Sequence, residues 1–151
     1  MEYLQIDVYD LTVFNMNDEE VVHFDKLQDV ALEYDESKDA YDMRVKNALL
    51  HTDYLRFVGK ERVLTDYEKT IGGKKTTISI GNDPGRECKL IAKSKLYDPN
   101  TNQVASDIII EIPKAKTSMK PSFTGVNGEA YSPVAQFSIE GYDGEFFKIH
   151  I

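Results

Sequence analysis

The residues of this chain best suited to catalytic or metal chemistry are three histidines, one cysteine and 26 carboxylates. His23, His51 and His150 lie far apart and lack the i, i+4 spacing that brings two imidazoles to one side of a helix to hold zinc. Cys88 is the only cysteine, which excludes a disulfide or a cysteine-based zinc site within one chain. The carboxylates are too numerous to single out a catalytic pair. We therefore predict no catalytic residues, no metal site and no cofactor, with an enzyme of unrecognised type as a lesser alternative.

Two short segments resemble ligand-binding loops, but each lacks residues that such a loop requires. In DPNTN, Asp98, Asn100 and Asn102 alternate as calcium ligands do, yet Gln103 stands where the loop needs glycine and Ile109 where it needs a bidentate glutamate. The segment GGKKT lacks the first glycine of a phosphate-binding loop and has a second lysine where serine or threonine should follow. We expect a hairpin turn at each.

The charge is distributed unevenly along the sequence. The formal net charge is −8, yet residues 1–43 hold 13 acids against two bases, whereas residues 44–151 hold 13 acids against 16 bases. Binding of nucleic acid by phosphate neutralisation needs clustered Lys and Arg, so the acidic balance argues against it. The balance suits plain solubility, a surface that repels DNA, or copies that attract one another through ends of opposite charge.

Length and hydropathy place the chain among globular proteins. With 151 residues, 41% of them apolar, it can form one domain, 1–151, that buries roughly 70% of the surface its unfolded form would expose. No apolar run is long enough to cross a bilayer, and the acidic N-terminus MEYLQIDVYD lacks a signal-peptide pattern. We expect a soluble protein without membrane contact.

Most of the sequence alternates polar and apolar residues with the period of two that is typical of half-buried strands. DLTVF and EVVHF flank the polar segment NMNDE, and similar alternation flanks DESKD, which predicts two hairpins. Cys88 alternates with Leu90 and Ala92, so we expect a buried thiol; Pro113 should end its strand or place it on an edge. The further predicted strands are RVLTDYEKTI, KTTISI, ECKLIAKSKL, VASDIIIEI, YSPVAQFSIEG and EFFKIHI.

The segment NALLHTDYLRFVG breaks this period, because apolar residues such as Leu55 and Phe57 recur at spacings of three, four and seven. Thr52 is the predicted N-cap, Asp53 lies in the first turn, and Gly59 is expected to close the helix in a left-handed conformation. So short a helix must pack on a sheet to be stable. The sequence therefore predicts a mainly β fold, a β-sandwich or barrel of about nine or ten strands with one flanking α-helix.

The segment MRVKNALLHTDYLRFVGKERV, with LIAKSKLYDP, SDIIIEIPKAK and GEAYSPVAQFSIEGYDGEFFKI, resembles the major tail tube proteins of tailed bacteriophages, which share their fold with type VI secretion tube proteins. The resemblance runs from the hairpin near Val30 to residue 151 and implies hexameric rings whose strands join into a continuous barrel. Stacked rings would form a conduit in the virion tail through which viral DNA passes without specific binding. It also implies synthesis in the host cytoplasm and, as partners, the tape measure, terminator and baseplate proteins.

The longest predicted hairpin follows the helix, whereas many tube proteins carry theirs before it, so a tail-terminator or baseplate-ring protein of the same fold is an alternative. We expect subunit contacts from the hairpin Val63 to Ile80, from the segment Lys114 to Gly128 and from the helix. The residues predicted at these contacts are Thr70, Ile71, Gly72, Gly73, Lys74, Lys75, Ser118, Met119, Lys120, Phe123, Leu55 and Arg56.

A second hypothesis from another class is a β-sandwich that binds a small ligand or carbohydrate. It is based on aromatic residues near predicted loops, where binding side chains commonly lie. These residues are Tyr97, Phe123, Tyr131 and Tyr142. The size of the protein in solution separates this hypothesis from a self-assembling tube.

Overall fold

The computed structural model describes residues 5–47, 52–72, 76–81, 85–117 and 134–151. These residues form ten strands and two short helices, which confirms the predicted mainly β fold with a flanking helix and adds a second helix. The elements are β1 Gln5–Phe14, β2 Glu20–Phe24, β3 Leu27–Asp35, β4 Ala40–Asn47, α1 Thr52–Val58, β5 Lys60–Arg62, α2 Asp66–Lys69, β6 Thr77–Ser79, β7 Glu87–Asp98, β8 Gln103–Thr117, β9 Val134–Ile139 and β10 Lys148–His150.

Eight of the strands form one antiparallel sheet in the order β2, β1, β7, β8, β9, β4, β3, with β10 also paired to β8. Side chains from both ends of this order share one core. Leu11, Leu90 and Ile112 on one side and Met43 and Phe137 on the other have almost no exposed surface. The sheet therefore folds over onto itself, as a β-sandwich does. Strands β5 and β6 form a separate two-stranded sheet.

The predicted hairpins are confirmed for β1–β2, β3–β4 and β7–β8. Each turn has a short polar residue with positive φ, namely Asp18 at 63°, Asp39 at 48° and Asn102 at 56°. Asp and Asn tolerate this conformation better than other non-glycine residues. In the segment that resembles a calcium loop, Asp98 Oδ1 accepts a hydrogen bond from the backbone N–H of Asn100 at 2.8 Å, as in a turn closed by its own side chain.

Strand β8 is longer than the sequence predicts, because Pro113 does not end it. β10 pairs with β8 as far as Glu111, and β9 pairs with β8 from Lys116 onward. Pro113 lies between these two partners and at an irregularity in the β7–β8 pairing, since Leu90 pairs with Ile112 but Cys88 pairs with Ala115. Proline within a sheet is typical of such a bulge. The prediction that Pro113 ends its strand is wrong, because Lys114 to Thr117 continue β8. β8 is not an edge strand, but no strand pairs with its β9 and β10 side at Pro113 among the described residues.

Cys88 is fully buried in β7 together with Leu90 and Ala92, as predicted. Burial raises the pKa of its thiol to about 12. The side chain therefore packs as a small apolar group at neutral pH.

Four aromatic rings pack against one another beside the core. Tyr34 and Tyr41 lie opposite each other on β3 and β4, and the Tyr41 ring is 5.1 Å from that of Phe146 and 5.0 Å from that of Phe147. Tyr34 donates a hydrogen bond to Asp39 Oδ1 at 2.5 Å. The residues that lead into β10 are thereby anchored to the β3–β4 hairpin.

Helix α1 fills the gap between the two layers through Tyr54. The Tyr54 ring contacts Phe24 of β2 at 5.7 Å and Phe137 of β9 at 6.1 Å, both edge to face. The prediction of a left-handed Gly59 is wrong, because Gly59 is not among the residues with positive φ. Glycine is needed there for close approach instead: a Cβ would lie 2.7 Å from side-chain atoms of Ile78 and Ile80.

The prediction of a continuous strand over RVLTDYEKTI is wrong. Only Lys60–Arg62 is extended, and residues 66–69 form α2. Thr65 caps this helix through its side chain, and Glu68 binds back to the Thr65 backbone, which completes a capping box. β5 pairs with β6, so the two ends of this region do meet, but through a connection that contains α2 rather than as the predicted continuous hairpin. The turn predicted in GGKKT lies largely outside the described residues. We call residues 60–80, of which 73–75 lie outside the described part, the arm.

Candidate functional site

Over the described ranges, the main sheet has two edge strands, β2 and β3, which follow each other in the chain with only Asp25 and Lys26 between them. The five-residue β2 pairs with β1 and is packed by α1. The nine-residue β3 pairs only with β4 among the described residues. From Val30 to Asp35, the second side of β3 therefore presents backbone donors and acceptors with which another strand could pair.

The outer side of the β3–β4 hairpin is rich in carboxylates. Glu33 on β3 lies opposite Asp42 on β4, and Lys38 in the turn lies 3.7 Å from Asp35 and 3.8 Å from Asp42. Like charges opposite each other destabilise a strand pair, and an adjoining base offsets this. A strand that paired with the free side of β3 would meet this acidic surface.

The opposite charges of the two parts of the sequence meet within one copy. Asp7 and Asp10 of β1 lie opposite Lys95 and Lys93 of β7, and Asp10 also contacts His23 Nε2 at 2.5 Å. These cross-strand pairs neutralise charges that the sequence analysis assigned to attraction between copies. Less unpaired charge therefore remains on β1 and β7 to attract the oppositely charged end of another copy.

Hydrogen bonds from Arg62 connect the described elements of the arm. Its guanidinium donates to both carboxylate oxygens of Glu68, at 2.6 and 2.8 Å, and to Ser79 Oγ at 3.0 Å. These bonds tie β5 to both α2 and β6. The hydrogen bonds from Arg62 and then from the Thr65 backbone lower the pKa of Glu68 from 4.5 to about 2.

Apolar residues on the arm lack a core of their own. No residue of α2 is buried, and Val63, Tyr67 and Ile71 are 83%, 75% and 67% exposed. We call these three residues, spaced four apart, the apolar stripe. Apolar side chains this exposed are typical of contact surfaces where they form one patch.

The structure distributes the predicted contact residues over several places. Thr70 caps the C-terminal end of α2, and Ile71 and Gly72 follow it on the arm. Leu55 and Arg56 lie on α1, where Arg56 contacts Asp53 at 3.3 Å and Glu61 at 3.6 Å. The remaining predicted residues lie outside the described part of the chain: Gly73, Lys74, Lys75, Ser118, Met119, Lys120 and Phe123. The segment predicted as a connection from Lys114 begins as β8, so its first four residues are strand.

An open groove of about 600 Å³ lies on the outer face of the sheet and was not predicted. Its apolar lining comes from segments distant in the sequence, namely Phe14, Met16, Ile91, Pro113 and Tyr142. We call it the outer groove. Tyr142 is one of the four aromatics named for ligand binding, Tyr97 is not in the lining, and Phe123 and Tyr131 lie outside the described residues.

Two ion pairs flank the outer groove. Lys89 contacts Asp18 Oδ1 at 2.5 Å, and Lys148 lies 4.0 Å from Glu111. His150 also lies 3.6 Å from Glu111. The lysines and carboxylates of the lining balance each other, so the groove presents an apolar floor with a charge-neutral rim.

Taken together, the described residues offer surfaces for contact: an open strand edge, an apolar stripe and an apolar groove. No protein-family model matches the chain, and no curated protein is significantly similar to it. Within the residues that the structure covers, neither helix is long and apolar enough to cross a membrane.

Proposed function

We propose that this protein is a structural subunit that assembles with copies of itself into rings, and that the rings stack into a tube. The resemblance to phage tail tube proteins suggests that the tube conducts DNA in a virion tail, with tape measure, terminator and baseplate proteins as neighbours. In this proposal the chain has no catalytic role.

The observation that carries the proposal is the open edge of β3. Among the described residues, no strand pairs with the second side of β3, and the run Val30 to Asp35 on such a side is a liability for a monomer, because it can pair with strands of other molecules. A ring removes the liability when each copy supplies the missing partner.

The proposal is tested by the mass of the purified protein in solution over a wide concentration range, measured by light scattering, with negative-stain images of the concentrated sample. We expect rings or tubes. A monomer at every concentration would refute the proposal.

The role of β3 is tested by two proline variants, Ala31→Pro and Leu32→Pro. Neighbouring residues of a strand point their N–H groups to opposite sides, so one variant removes a bond to β4 and the other removes a donor from the free edge. The variant that keeps its bond to β4 should have the thermal midpoint closer to that of the wild type. We expect this same variant to prevent assembly, because it has lost the outward donor. Normal assembly by that variant would exclude the β3 edge as the ring contact.

The outer groove favours a second candidate function, the small-ligand or carbohydrate-binding module, since Tyr142 lies in it with an apolar floor. This alternative predicts a stable monomer and saturable binding of a soluble sugar or apolar ligand that Tyr142→Ala abolishes. Two results together would contradict the binding-module alternative: the wild type assembles, and Tyr142→Ala binds such compounds as well as the wild type does.

A further inference from the structure

The short strand β10 gives the main sheet a further open edge, besides β2 and β3 at the ends of the strand order. Within the described residues it pairs only with β8, where Ile149 lies opposite the buried Ile110. All three residues of β10, Lys148–His150, are exposed. The second side of β10 therefore presents unpaired backbone groups, as the run Val30 to Asp35 of β3 does.

Both of these edges leave apolar side chains on the core side of the sheet partly uncovered. Ile149 shares a face with Ile110, because residues that pair across strands point the same way, yet Ile149 is 48% exposed. On β3, Tyr34 lies opposite Tyr41 on the core side and is 46% exposed, and Leu32 is only half-buried. A strand added to either edge would remove this apolar surface from water.

The outward face of β3 carries carboxylates and no base of its own. Glu33 and Asp35 alternate with Tyr34, and β3 contains neither Lys nor Arg. Lys38 in the turn lies 3.7 Å from Asp35. Glu33 makes no ion pair within the described residues and lies opposite a second acid, Asp42. A base supplied next to Glu33 by an added strand would offset this pair of like charges.

The outward face of β10 carries Lys148 and His150, the second a cation when protonated. Both contact Glu111 of β8, at 4.0 and 3.6 Å, and Lys148 also lies 3.7 Å from Glu145 in the preceding turn. When β10 lies beside β3, its two bases stand between Glu111 on one side and the carboxylates of β3 on the other. Acidic and basic strands then alternate across the sheet, which favours the pairing.

The other described edges of the main sheet match β3 less well. On β2, the core-facing Val22 and Phe24 are already buried, and α1 packs against this strand. The outward His23 of β2 is already in contact with Asp10. A second copy of β3 would add only further carboxylates to the outward face, which is unfavourable.

We infer that β10 of one copy pairs with the open edge of β3 in a second copy. Ile149 then lies opposite Tyr34 on the core side, and the two bases of β10 face the two carboxylates of β3 on the outward side, whichever direction the added strand runs. This inference rests on the proposed self-assembly and names the strand that completes β3. Because the two paired strands are different, the contact can propagate from copy to copy, as a ring requires.

The test is cysteine cross-linking between purified full-length variants. Glu33→Cys is mixed with Lys148→Cys, which lies opposite it if the strands are parallel, or with His150→Cys, which lies opposite it if they are antiparallel. Directly opposite residues on neighbouring strands are close enough for a disulfide. Under mild oxidation, one of the two mixtures should give a linked dimer in clear excess over each variant alone. Cys88 does not compete, since it has no exposed surface.

The matched control replaces the β10 variant by Ile109→Cys. Ile109 lies opposite His150 on the same outward face, but on β8, one strand further from the proposed partner. Its mixture with Glu33→Cys should give only background cross-linking.

A second measurement compares Ile149→Thr with Ile109→Thr, since these isoleucines are 48% and 40% exposed on opposite faces of neighbouring strands. We expect Ile149→Thr to lose at least tenfold in assembly by sedimentation velocity and Ile109→Thr to assemble as the wild type does. The thermal midpoint of the single copy should be close to the wild-type value in both variants.

Three results would overturn the inference: both β10 mixtures no better than the Ile109→Cys control, Glu33→Cys linking to itself as strongly as in either mixture, or equal assembly by the two threonine variants. If the wild type still forms rings in any of these cases, the proposed function stands and another strand completes β3. If the wild type is monomeric at every concentration, both the inference and the proposed function fail.

Discussion

Arg62 binds both carboxylate oxygens of Glu68, at 2.6 and 2.8 Å, and this pair joins the first strand of the arm to its helix. Two parallel bonds between a guanidinium and a carboxylate fix orientation as well as distance. Glu68 also accepts from the Thr65 backbone, so one carboxylate holds both the ion pair and the helix cap.

The first prediction concerns the titration of Glu68. Its pKa is lowered to about 2, so the ionised carboxylate favours the folded arm above the unfolded value of 4.5, and this contribution is lost as the pH falls from 4.5 toward 2. A carboxyl-detected NMR titration should place the midpoint of Glu68 near 2. Arg62→Gln should move the midpoint up toward 4.5, and a midpoint that stays low would mean that the Thr65 backbone alone sets it.

A second prediction concerns Tyr54, which joins the two layers of the sheet through Phe24 and Phe137. Removing the buried ring in Tyr54→Ala should lower the free energy of unfolding by about 3 kcal/mol, because a cavity remains between the layers. Tyr54→Phe keeps the ring, so its free energy of unfolding should stay within about 1 kcal/mol of the wild-type value. Urea unfolding measures both, and equal losses in the two variants would show that the hydroxyl rather than the ring matters.

Gly85 is predicted to tolerate no side chain. A Cβ there would lie 1.7 Å from the carbonyl oxygen of Thr117, in the backbone of β8. Gly85→Ala should therefore cost about 2–3 kcal/mol in unfolding free energy, as the strand must move. Gly81→Ala is the matched control: a Cβ at Gly81 meets nothing within 4 Å, so stability should be unchanged or about 0.5 kcal/mol higher.

Ser94 should be dispensable for stability. It is fully buried on β7, and its Oγ has no hydrogen-bond partner among the described residues. Ser94→Ala removes a buried polar group and should leave the unfolding free energy equal or up to about 1 kcal/mol higher. The reverse change two positions away, Ala92→Ser, buries a new hydroxyl and should cost about 1–3 kcal/mol. A loss in Ser94→Ala as large as in Ala92→Ser would reveal a hydrogen bond to Ser94.

Much of the sheet could be predicted from local pattern. Alternation and short polar turns located the β1–β2, β3–β4 and β7–β8 hairpins, because these strands pair with their sequence neighbours. Helix α2 was missed, since Tyr67 and Ile71 are typical of strands. The capping pair Thr65 and Glu68 was the signal that could have located it.

Features made by distant residues could not be predicted in the same way. The outer groove joins Phe14, Ile91, Pro113 and Tyr142, and its shape depends on the pairing of β1 with β7 and of β10 with β8. Periodicity gives the face of a strand but not its neighbour. The exposure of Tyr67 is also invisible in the sequence, because an apolar residue is expected to be buried.

The strand order also has a consequence for synthesis of the protein. β1 must wait for β7, which begins at Glu87, and β4 must wait for β9, which begins at Val134. Long-range pairing of this kind is slow, and a ribosome exposes both early hairpins well before their second partners have been translated. Until these later strands have been translated, the edges of β1 and β4 that they cover stay open to pairing with strands of other chains.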